Sequence, residues 1–427
     1  MHLSSEQIQA CNEPMLRRHQ QAFAQVSAYL QAEGLQPDDL IAQIQQLQIA
    51  IPSWALGTGG TRFGRFPIGG EPRNLEEKIE DVGLLHALNR ASGAISLHIP
   101  WDIPENAEHI RSLAAALGLK FDAVNSNTFQ DQPDQPYSYK FGSLCHTDAA
   151  VRRQAIEHNI EVIRYGQALG SRCLSVWLAD GSNFPGQRSF VQAFQHTLSS
   201  LQEIYAALPD DWTMLVEYKP YEPNFYATVI QDWGTAFLLC RKLGPSARVL
   251  VDLGHHLPNT NIEQIVATLM MEDMLGGFHF NDSKYGDDDL TVGSIKPYQL
   301  FLIFHELVSG FQARGRGVDS LAWMIDASHN TKDPLEDLLQ SVEAIQLAFA
   351  QALIIDRKSL EEAQQQNDVA WCQELLQKAF RTDLRALIAE ARLRAGGALS
   401  PLQAYRQLQV RQQLIAHRGK KAVATGL

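Results

Sequence analysis

The chain has 427 residues, 45% of them hydrophobic and 20% charged, and its 48 acidic residues against 36 lysines and arginines give a formal net charge of −12. This composition is typical of a globular protein with a large core, so a largely disordered chain is excluded. The acidic balance argues against nucleic acid or an anionic membrane surface as the main partner.

The elements begin with apolar residues at helical spacing over residues 7–32 and 37–47. From residue 49 onward, short apolar runs rich in β-branched or aromatic residues alternate with longer amphipathic stretches. This alternation is typical of repeated strand–helix units. The predicted strands are 49–55, 94–100, 121–126, 172–178, 213–218, 248–253, 277–281 and 321–326.

The stretches between these strands have helical periodicity and suitable ends. Gly170 follows the last apolar position of one helix, and Pro334 stands near the start of another, where its missing N–H costs little. The predicted helices are 75–91, 105–117, 149–169, 187–207, 235–243, 262–274, 297–308 and 333–354.

Eight alternating units predict right-handed crossovers and a parallel sheet. The count of eight favours a closed (β/α)₈ TIM barrel, an α/β fold, over the open doubly wound sheet that one miscounted strand would leave. Beyond residue 355 the pattern is helical to about residue 418. We therefore expect an N-terminal helical segment at 1–46, a catalytic barrel at 47–355 and a C-terminal helical extension at 356–427.

Acids and histidines follow four successive predicted strands, at the barrel end where TIM-barrel enzymes carry their sites. Such a cluster of like charges needs a cation, and carboxylates with a minority of imidazoles suit Mn²⁺, Mg²⁺ or Co²⁺. The candidates exceed what one octahedral ion needs, which predicts two ions that share a carboxylate. These residues are Glu217 and Lys219, Asp252 and His255, His279, the three aspartates at 287–289, and Asp326.

Each of these residues also has an ordinary structural interpretation. His279 fits a buried, hydrogen-bonded histidine, and residues 287–289 fit a solvated loop. Asp326 fits a helix cap, and Glu217 with Lys219 fits an ion pair inside the barrel. Their coincidence on four adjacent strand ends favours the metal cluster. The glycine-rich segment 57–70 lacks Gly-Lys-Ser/Thr and is therefore not a nucleotide-binding P-loop.

The segments VEYKP, LVDLGHH, GGFHFNDSKYGDDDLTVGS and MIDASHN resemble L-rhamnose isomerases of the Pseudomonas type, members of the xylose-isomerase-like group of two-metal barrel sugar isomerases. The likeness runs from about Trp54 through the barrel. It implies an aldose–ketose isomerase that converts L-rhamnose to L-rhamnulose and accepts other monosaccharides such as D-allose. It also implies two divalent ions per subunit, with Mn²⁺ expected and Co²⁺ or Mg²⁺ as alternatives, and a homotetramer.

The resemblance assigns roles to individual residues. His98 would assist ring opening, Lys219 would hold a substrate oxygen near C1, and Asp326 would poise the base of an enediol route, with a hydride shift as the other route. Phe63 would reach into a neighbouring subunit's site. For Trp54 and Trp177, plain core packing is as good an interpretation as contact with the sugar. The implied sugar wall comprises Trp54, Phe63, Trp101, Phe129 and Trp177. The implied metal ligands are Glu217 as the bridge, Asp252, His279 and Asp326 at the first ion, and His255, Asp287 and Asp289 at the second.

Three other functions compete with this interpretation. A metal-dependent ketose 3-epimerase would need similar ligands and stays open. A phosphodiesterase like the barrel-fold apurinic endonucleases would need a basic groove, which the sequence lacks. A non-catalytic sugar-binding or scaffolding barrel would bind a sugar without turning it over.

The expected location is the cytoplasm. The five cysteines are far apart and form no Cys-x-x-Cys pair, which is typical of reduced intracellular thiols. The N-terminus has no signal-peptide pattern, and no apolar run reaches the ~18 residues of a membrane helix.

Overall fold

A computed structural model describes residues 2–59, 66–222, 226–329 and 331–421. Eight parallel strands form a closed barrel in chain order, with the last strand paired to the first at Met324 and Ala50. The predicted α/β barrel is therefore confirmed. The strands are β1 (Ala50–Pro52), β2 (Ala94–Ile99), β3 (Lys120–Ser126), β4 (Cys173–Val176), β5 (Thr213–Glu217), β8 (Ala247–Asp252), β9 (Leu275–Phe280) and β10 (Ala322–Ile325), and a hairpin of β6 (Tyr221–Glu222) and β7 (Tyr226–Ala227) follows β5.

Each predicted barrel helix is present, and seven of the eight begin after a side chain that accepts a hydrogen bond from the first turn, as Asn74, Asp148 and Asp333 do. Such caps satisfy backbone N–H groups that the helix leaves free. The barrel helices are α4 (Leu75–Asn89), α5 (Ala107–Ala116), α6 (Ala149–Leu169), α7 (Phe190–Tyr205), α8 (Trp233–Leu243), α9 (Ile262–Met271), α10 (Pro297–Arg314) and α11 (Pro334–Leu353).

Aromatic packing between strands and helices sets which side chains point into the barrel. On the outer face of the barrel, Phe278 and Phe280 of β9 stack with each other and with Trp323 of β10. Phe280 also stacks with Phe304 of α10. Because side chains alternate along a strand, His279 between the two phenylalanines must point to the inside.

The remaining helices come from the two ends of the chain and pack together. Leu30 and Ile44 share a buried cluster with Leu387 and Ile388. How the chain divides into domains stays a prediction. The N-terminal helices are α1 (Ser5–Asn12), α2 (Leu16–Ala32) and α3 (Pro37–Gln46), and the C-terminal ones are α12 (Arg357–Gln365), α13 (Val369–Arg381), α14 (Arg385–Arg394), α15 (Pro401–Gln407) and α16 (Val410–Arg418).

Some boundaries differ from the sequence pattern. The predicted helix 7–32 is interrupted by a 3₁₀ turn at Glu13–Met15, because Pro14 cannot donate the backbone hydrogen bond that a continuous helix needs. Helix α10 continues to Arg314, beyond the predicted end at 308. Among the described residues, no single helix is long and apolar enough to span a membrane. Helices α11 and α12, which are bent relative to each other, reach that length and hydropathy only when they are taken together.

Candidate metal centre

Three buried side chains converge where β5, β8 and β9 end. One ligand atom each from Glu217, Asp252 and His279 lie within 4.8 Å of one another. His279 Nδ1 is 3.3 Å from Glu217 Oε1 and 3.7 Å from Asp252 Oδ2. The buried His279 Nδ1 and Asp252 Oδ2 accept or donate no hydrogen bond among the described residues. Two carboxylates and an imidazole whose ligand atoms lie this close together fit a divalent cation.

The carboxylate of Asp252 is held by its other oxygen. Oδ1 accepts hydrogen bonds from the Gly254 N–H at 2.7 Å and from Asn281 Nδ2 at 2.9 Å. These two donors fix the orientation of the carboxylate, so Oδ2 stays directed at His279. Support of this kind from groups behind the ligands is common at metal sites.

Asp326 follows β10 and lies at the open side of this group. Its Oδ1 accepts a hydrogen bond from Trp54 Nε1 at 2.8 Å, and its Oδ2 is 3.9 Å from His279 Nδ1. The side chain keeps 23% of its surface exposed, against 0% for Asp252. Asp326 therefore lies between the buried group and the solvent.

His255 connects this group to a second one. Its Nδ1 is 3.1 Å from Glu217 Oε1, and its Nε2 is 3.0 Å from Asp287 Oδ1. Asp287 Oδ2 also accepts a hydrogen bond from Lys219 Nζ at 2.6 Å. Glu217 thus lies between the two groups, in the place that a bridging ligand would need.

Asp289 belongs to the same loop as Asp287. Its Oδ2 accepts a hydrogen bond from Ser328 Oγ at 2.9 Å, and its Oδ1 is 3.5 Å from Asn281 Nδ2. Since Asn281 also holds Asp252, one amide touches the carboxylates of both groups. The structure therefore places all seven predicted metal ligands on one rim of the barrel.

The electrostatics of the rim are those of crowded carboxylates. Burial raises the pKa of Asp289 well above its usual range, and the charges of Asp287 and Asp326 raise it further. Burial lowers the pKa of His279, but Glu217 and its neighbouring carboxylates outweigh this and bring it to about 9. The pKa of Asp326 is raised to about 6, chiefly by burial. A divalent cation would relieve this repulsion.

Lys219 is fixed between the second group and an aromatic ring. Its ammonium is 3.0 Å from Glu222 Oε2 and 2.6 Å from Asp287 Oδ2, and it lies 5.0 Å from the centre of the Trp177 ring. The side chain is 4% exposed. With two carboxylates and a π-face around it, the ammonium keeps a definite position beside Asp287.

Aromatic side chains form a continuous wall beside these charges. The ring of His98 lies 5.1 Å from Trp54, 4.8 Å from Trp101 and 5.5 Å from Phe129, and Phe129 lies 4.8 Å from Trp177. All except His98 are half-buried. Burial lowers the pKa of His98 to about 3, so its ring is neutral near pH 7. Half-buried aromatic faces suit the apolar C–H faces of a sugar.

One predicted wall residue, Phe63, lies outside the described residues. The other four stand in one row from the end of β1 to the end of β4, and this row meets Lys219 at Trp177.

Sequence reasoning missed a buried ion pair below this wall. Asp102 Oδ1 accepts from Lys78 Nζ at 2.6 Å, and its Oδ2 accepts from the His98 N–H at 2.8 Å and from Ser53 Oγ. Lys78 and Asp102 are each 1% exposed. The pair thus ties helix α4 to the residues next to Trp54 and Trp101. The sequence gives no hint of this pair, because Lys78 lies in the mostly charged run 76–81 of α4, a pattern typical of an exposed helix face.

The chain is similar to known proteins along most of its length. Residues 90–326 match the model of the xylose isomerase-like TIM barrel family. A probable sugar isomerase of Rhizobium meliloti (strain 1021) is 54% identical over 397 residues, which are 93% of this chain and 92% of the relative. A probable sugar isomerase of Mesorhizobium japonicum is 50% identical over 413 residues, 97% of this chain and 95% of the relative.

Solved structures resemble the fold at low identity. The 3-keto-D-glucoside 4-epimerase of E. coli is 14% identical with a TM-score of 0.51, and covers 70% of this chain and 99% of its own. A structure of L-ribulose 3-epimerase is 12% identical with a TM-score of 0.50, and covers 72% of this chain and 96% of its own. At these identities the likeness concerns the fold alone.

Proposed function

Because the chain belongs to the xylose isomerase-like TIM barrel family, we propose that it is a metal-dependent aldose–ketose isomerase. Its main reaction is the conversion of L-rhamnose to L-rhamnulose, with other aldoses such as D-allose as further substrates. The observation that carries the proposal is the convergence of Glu217, Asp252 and His279 within 4.8 Å, beside the aromatic wall around His98. The names of the two relatives, probable sugar isomerases, support the same class.

The donor set is large enough for two ions. Glu217 would be the ligand that both ions share, because its Oε1 lies 3.3 Å from His279 Nδ1 and 3.1 Å from His255 Nδ1. When bound, divalent ions such as Mn²⁺, or Co²⁺ or Mg²⁺ in its place, polarise the hydroxyl and carbonyl oxygens of the substrate. The first ion would be held by Glu217, Asp252, His279 and Asp326, and the second by Glu217, His255, Asp287 and Asp289.

The aromatic wall binds the sugar and opens its ring. Trp54, Trp101 and Phe129 pack on the C–H faces of the pyranose and exclude water from that side. His98, which they surround, is neutral near pH 7 because burial lowers its pKa to about 3. A neutral imidazole has one nitrogen that accepts a proton and one that donates, so it moves a proton between the anomeric hydroxyl and the ring oxygen.

Lys219 acts on the open chain. Glu222 and Asp287 hold its ammonium in place, so it donates a hydrogen bond to the oxygen at C1 as negative charge develops there. Asp326, at the open side of the proposed metal ligands, would poise the base that takes the proton from C2 and returns it to C1 in the enediol route. A hydride shift would need no such base.

Activity with and without metal tests the proposal. The full chain is treated with EDTA, dialysed and assayed for ketose formation from L-rhamnose, L-mannose, D-allose and D-ribose, before and after Mn²⁺ is returned. We expect no turnover without metal and the highest kcat/KM for L-rhamnose. Glu217→Gln should be inactive, whereas Glu306→Gln on α10, a carboxylate outside the rim, should be active. Metal-independent isomerisation would refute the proposal.

The 3-epimerase reaction is the second candidate, since it needs a similar set of metal ligands, and one of the two similar folds reported above is named L-ribulose 3-epimerase. Product analysis on one ketose separates the two reactions. An aldose product supports isomerisation, and a ketose inverted at C3 supports epimerisation.

A further inference from the structure

The loop between β9 and α10 closes on itself. The Asp282 N–H donates to the Leu290 carbonyl at 2.9 Å, and the Leu290 N–H donates back to Asp282 at 2.8 Å. Both aspartates assigned to the second ion, Asp287 and Asp289, lie inside this closed loop. Asp288 lies between them and carries no assigned role.

The carboxylate of Asp288 turns away from the metal ligands and into its own loop. Its Oδ2 accepts from the N–H groups of Lys284 and Tyr285, each at 2.9 Å, and its Oδ1 accepts from the Gly286 N–H at 2.8 Å. Three consecutive backbone donors are thus bound by one side chain. Both carboxylate oxygens of Asp288 accept these hydrogen bonds. An asparagine side chain has a single acceptor oxygen and could not replace both of them.

The two flanking aspartates have backbone conformations that are rare for residues with a side chain. Asp287 has φ 55° and Asp289 has φ 48°, in the left-handed region that L-residues disfavour. Two backbone hydrogen bonds connect these residues to other loops of the rim, from the Asp287 N–H to the Gly254 carbonyl at 3.2 Å and from the Ser328 N–H to the Asp289 carbonyl at 3.2 Å.

We propose that Asp288 is the positioning residue of the second ion site. Its carboxylate binds the N–H groups of residues 284–286 and so keeps Asp287 and Asp289 in their left-handed conformations, with Asp287 directed at His255 and Lys219 and Asp289 at Ser328. Asp288 itself binds no ion. This inference rests on the proposed two-ion function and adds a residue that controls one ion only.

Calorimetric titration of the metal-stripped full chain with Mn²⁺ tests the inference. We expect the wild type to bind two ions per chain. Asp288→Asn should bind the first ion as the wild type does and the second about 10–100-fold more weakly, the usual cost of losing support behind a metal ligand. Asp319→Asn, an exposed aspartate distant in sequence from the loop, should match the wild type.

A second measurement separates positioning from general damage. The Mn²⁺ concentration for half-maximal activity of Asp288→Asn should rise by the same factor, whereas kcat at saturating Mn²⁺ should return toward the wild-type value. Ser283→Ala is the milder variant, because its Oγ accepts from the Gly286 N–H at 3.0 Å; we expect a smaller loss at the second ion.

The outcomes are distinguishable. A wild type that binds a single ion would refute the two-ion function. A wild type with two ions and an Asp288→Asn variant with unchanged affinities would refute the positioning role alone, and so would an equal loss at both ions. Should Asp288→Asn fail to fold, an unaltered second affinity in Ser283→Ala would refute it.

Discussion

The indole of Trp54 donates a hydrogen bond to the carboxylate of Asp326, with 2.8 Å between Nε1 and Oδ1. Trp54 follows the first strand of the barrel and Asp326 follows the last, so this hydrogen bond connects the segments after β1 and β10, where the barrel closes. The same indole lies 5.1 Å from the ring of His98. One side chain therefore contacts both the aromatic wall and a proposed metal ligand.

Trp54→Phe separates these two contacts, because phenylalanine keeps an aromatic face toward His98 but has no N–H for Asp326. We expect Mn²⁺ affinity to fall about 10-fold and the KM for sugar to change little, as measured by metal titration and steady-state kinetics. Trp371→Phe on α13, where the ring is 52% exposed, is the control. A raised KM with unchanged metal affinity would mean that Trp54 serves only as a wall.

Metal binding should stabilise the fold, because the carboxylates around Glu217 repel one another without a cation. At a Mn²⁺ concentration 100 times its Kd, linkage predicts about 2.7 kcal/mol of added stability. Thermal melts with EDTA and with Mn²⁺ measure this difference. Glu217→Gln should lose most of it. Equal Tm values under both conditions in the wild type would contradict the metal assignment.

The buried pair of Lys78 and Asp102 should matter more to stability than an exposed pair. Lys78→Met leaves the Asp102 carboxylate buried without its cation, which costs about 3–5 kcal/mol. Arg153→Met breaks the pair with Glu203, whose side chains are 52% and 45% exposed, and should cost under ~1 kcal/mol. Urea unfolding gives both values. Similar costs for the two variants would be inconsistent with the role of burial.

Stability should fall in acid because of buried neutral histidines. Burial, aided by Arg90, lowers the pKa of His86 to about 4, so between pH 6.5 and 4 the unfolded chain binds a proton at this residue that the folded protein does not. The contribution of neutral His86 to the free energy of unfolding is complete above pH 6.5 and is lost as the pH falls toward 4. Between pH 7.5 and 5 the free energy of unfolding should fall by about 2 kcal/mol for this reason.

His86→Gln should therefore show a flatter dependence of unfolding free energy on pH over this range. His109→Gln, which alters an exposed histidine on α5, should keep the wild-type slope. Urea unfolding at pH 7.5, 6 and 5 checks both variants, and parallel slopes for His86→Gln and the wild type would show that His86 does not contribute.

Much of the barrel follows from local sequence patterns. Short β-branched runs and amphipathic stretches are sufficient to predict eight strands and eight helices, and Gly170 and Pro334 mark a helix end and a helix start. The strand-end rule then brings Glu217, Asp252, His279 and Asp326 to one rim. The hairpin β6–β7 escaped prediction because two-residue strands are too short to show a period.

What the sequence by itself determined is the order of the elements and the rim on which the acids and histidines meet, since periodicity and strand polarity are local properties. The cation at this rim stays a prediction. Only the tertiary structure decided which atoms touch. Lys78 and Asp102 are 24 positions apart, and Trp54 and Asp326 meet only when the barrel closes. Likewise, the carboxylate of Asp288 points into its own loop, and that loop is closed by the two backbone hydrogen bonds between Asp282 and Leu290. Such contacts depend on how distant segments pack, and the local pattern of hydrophobic and polar residues does not encode that packing.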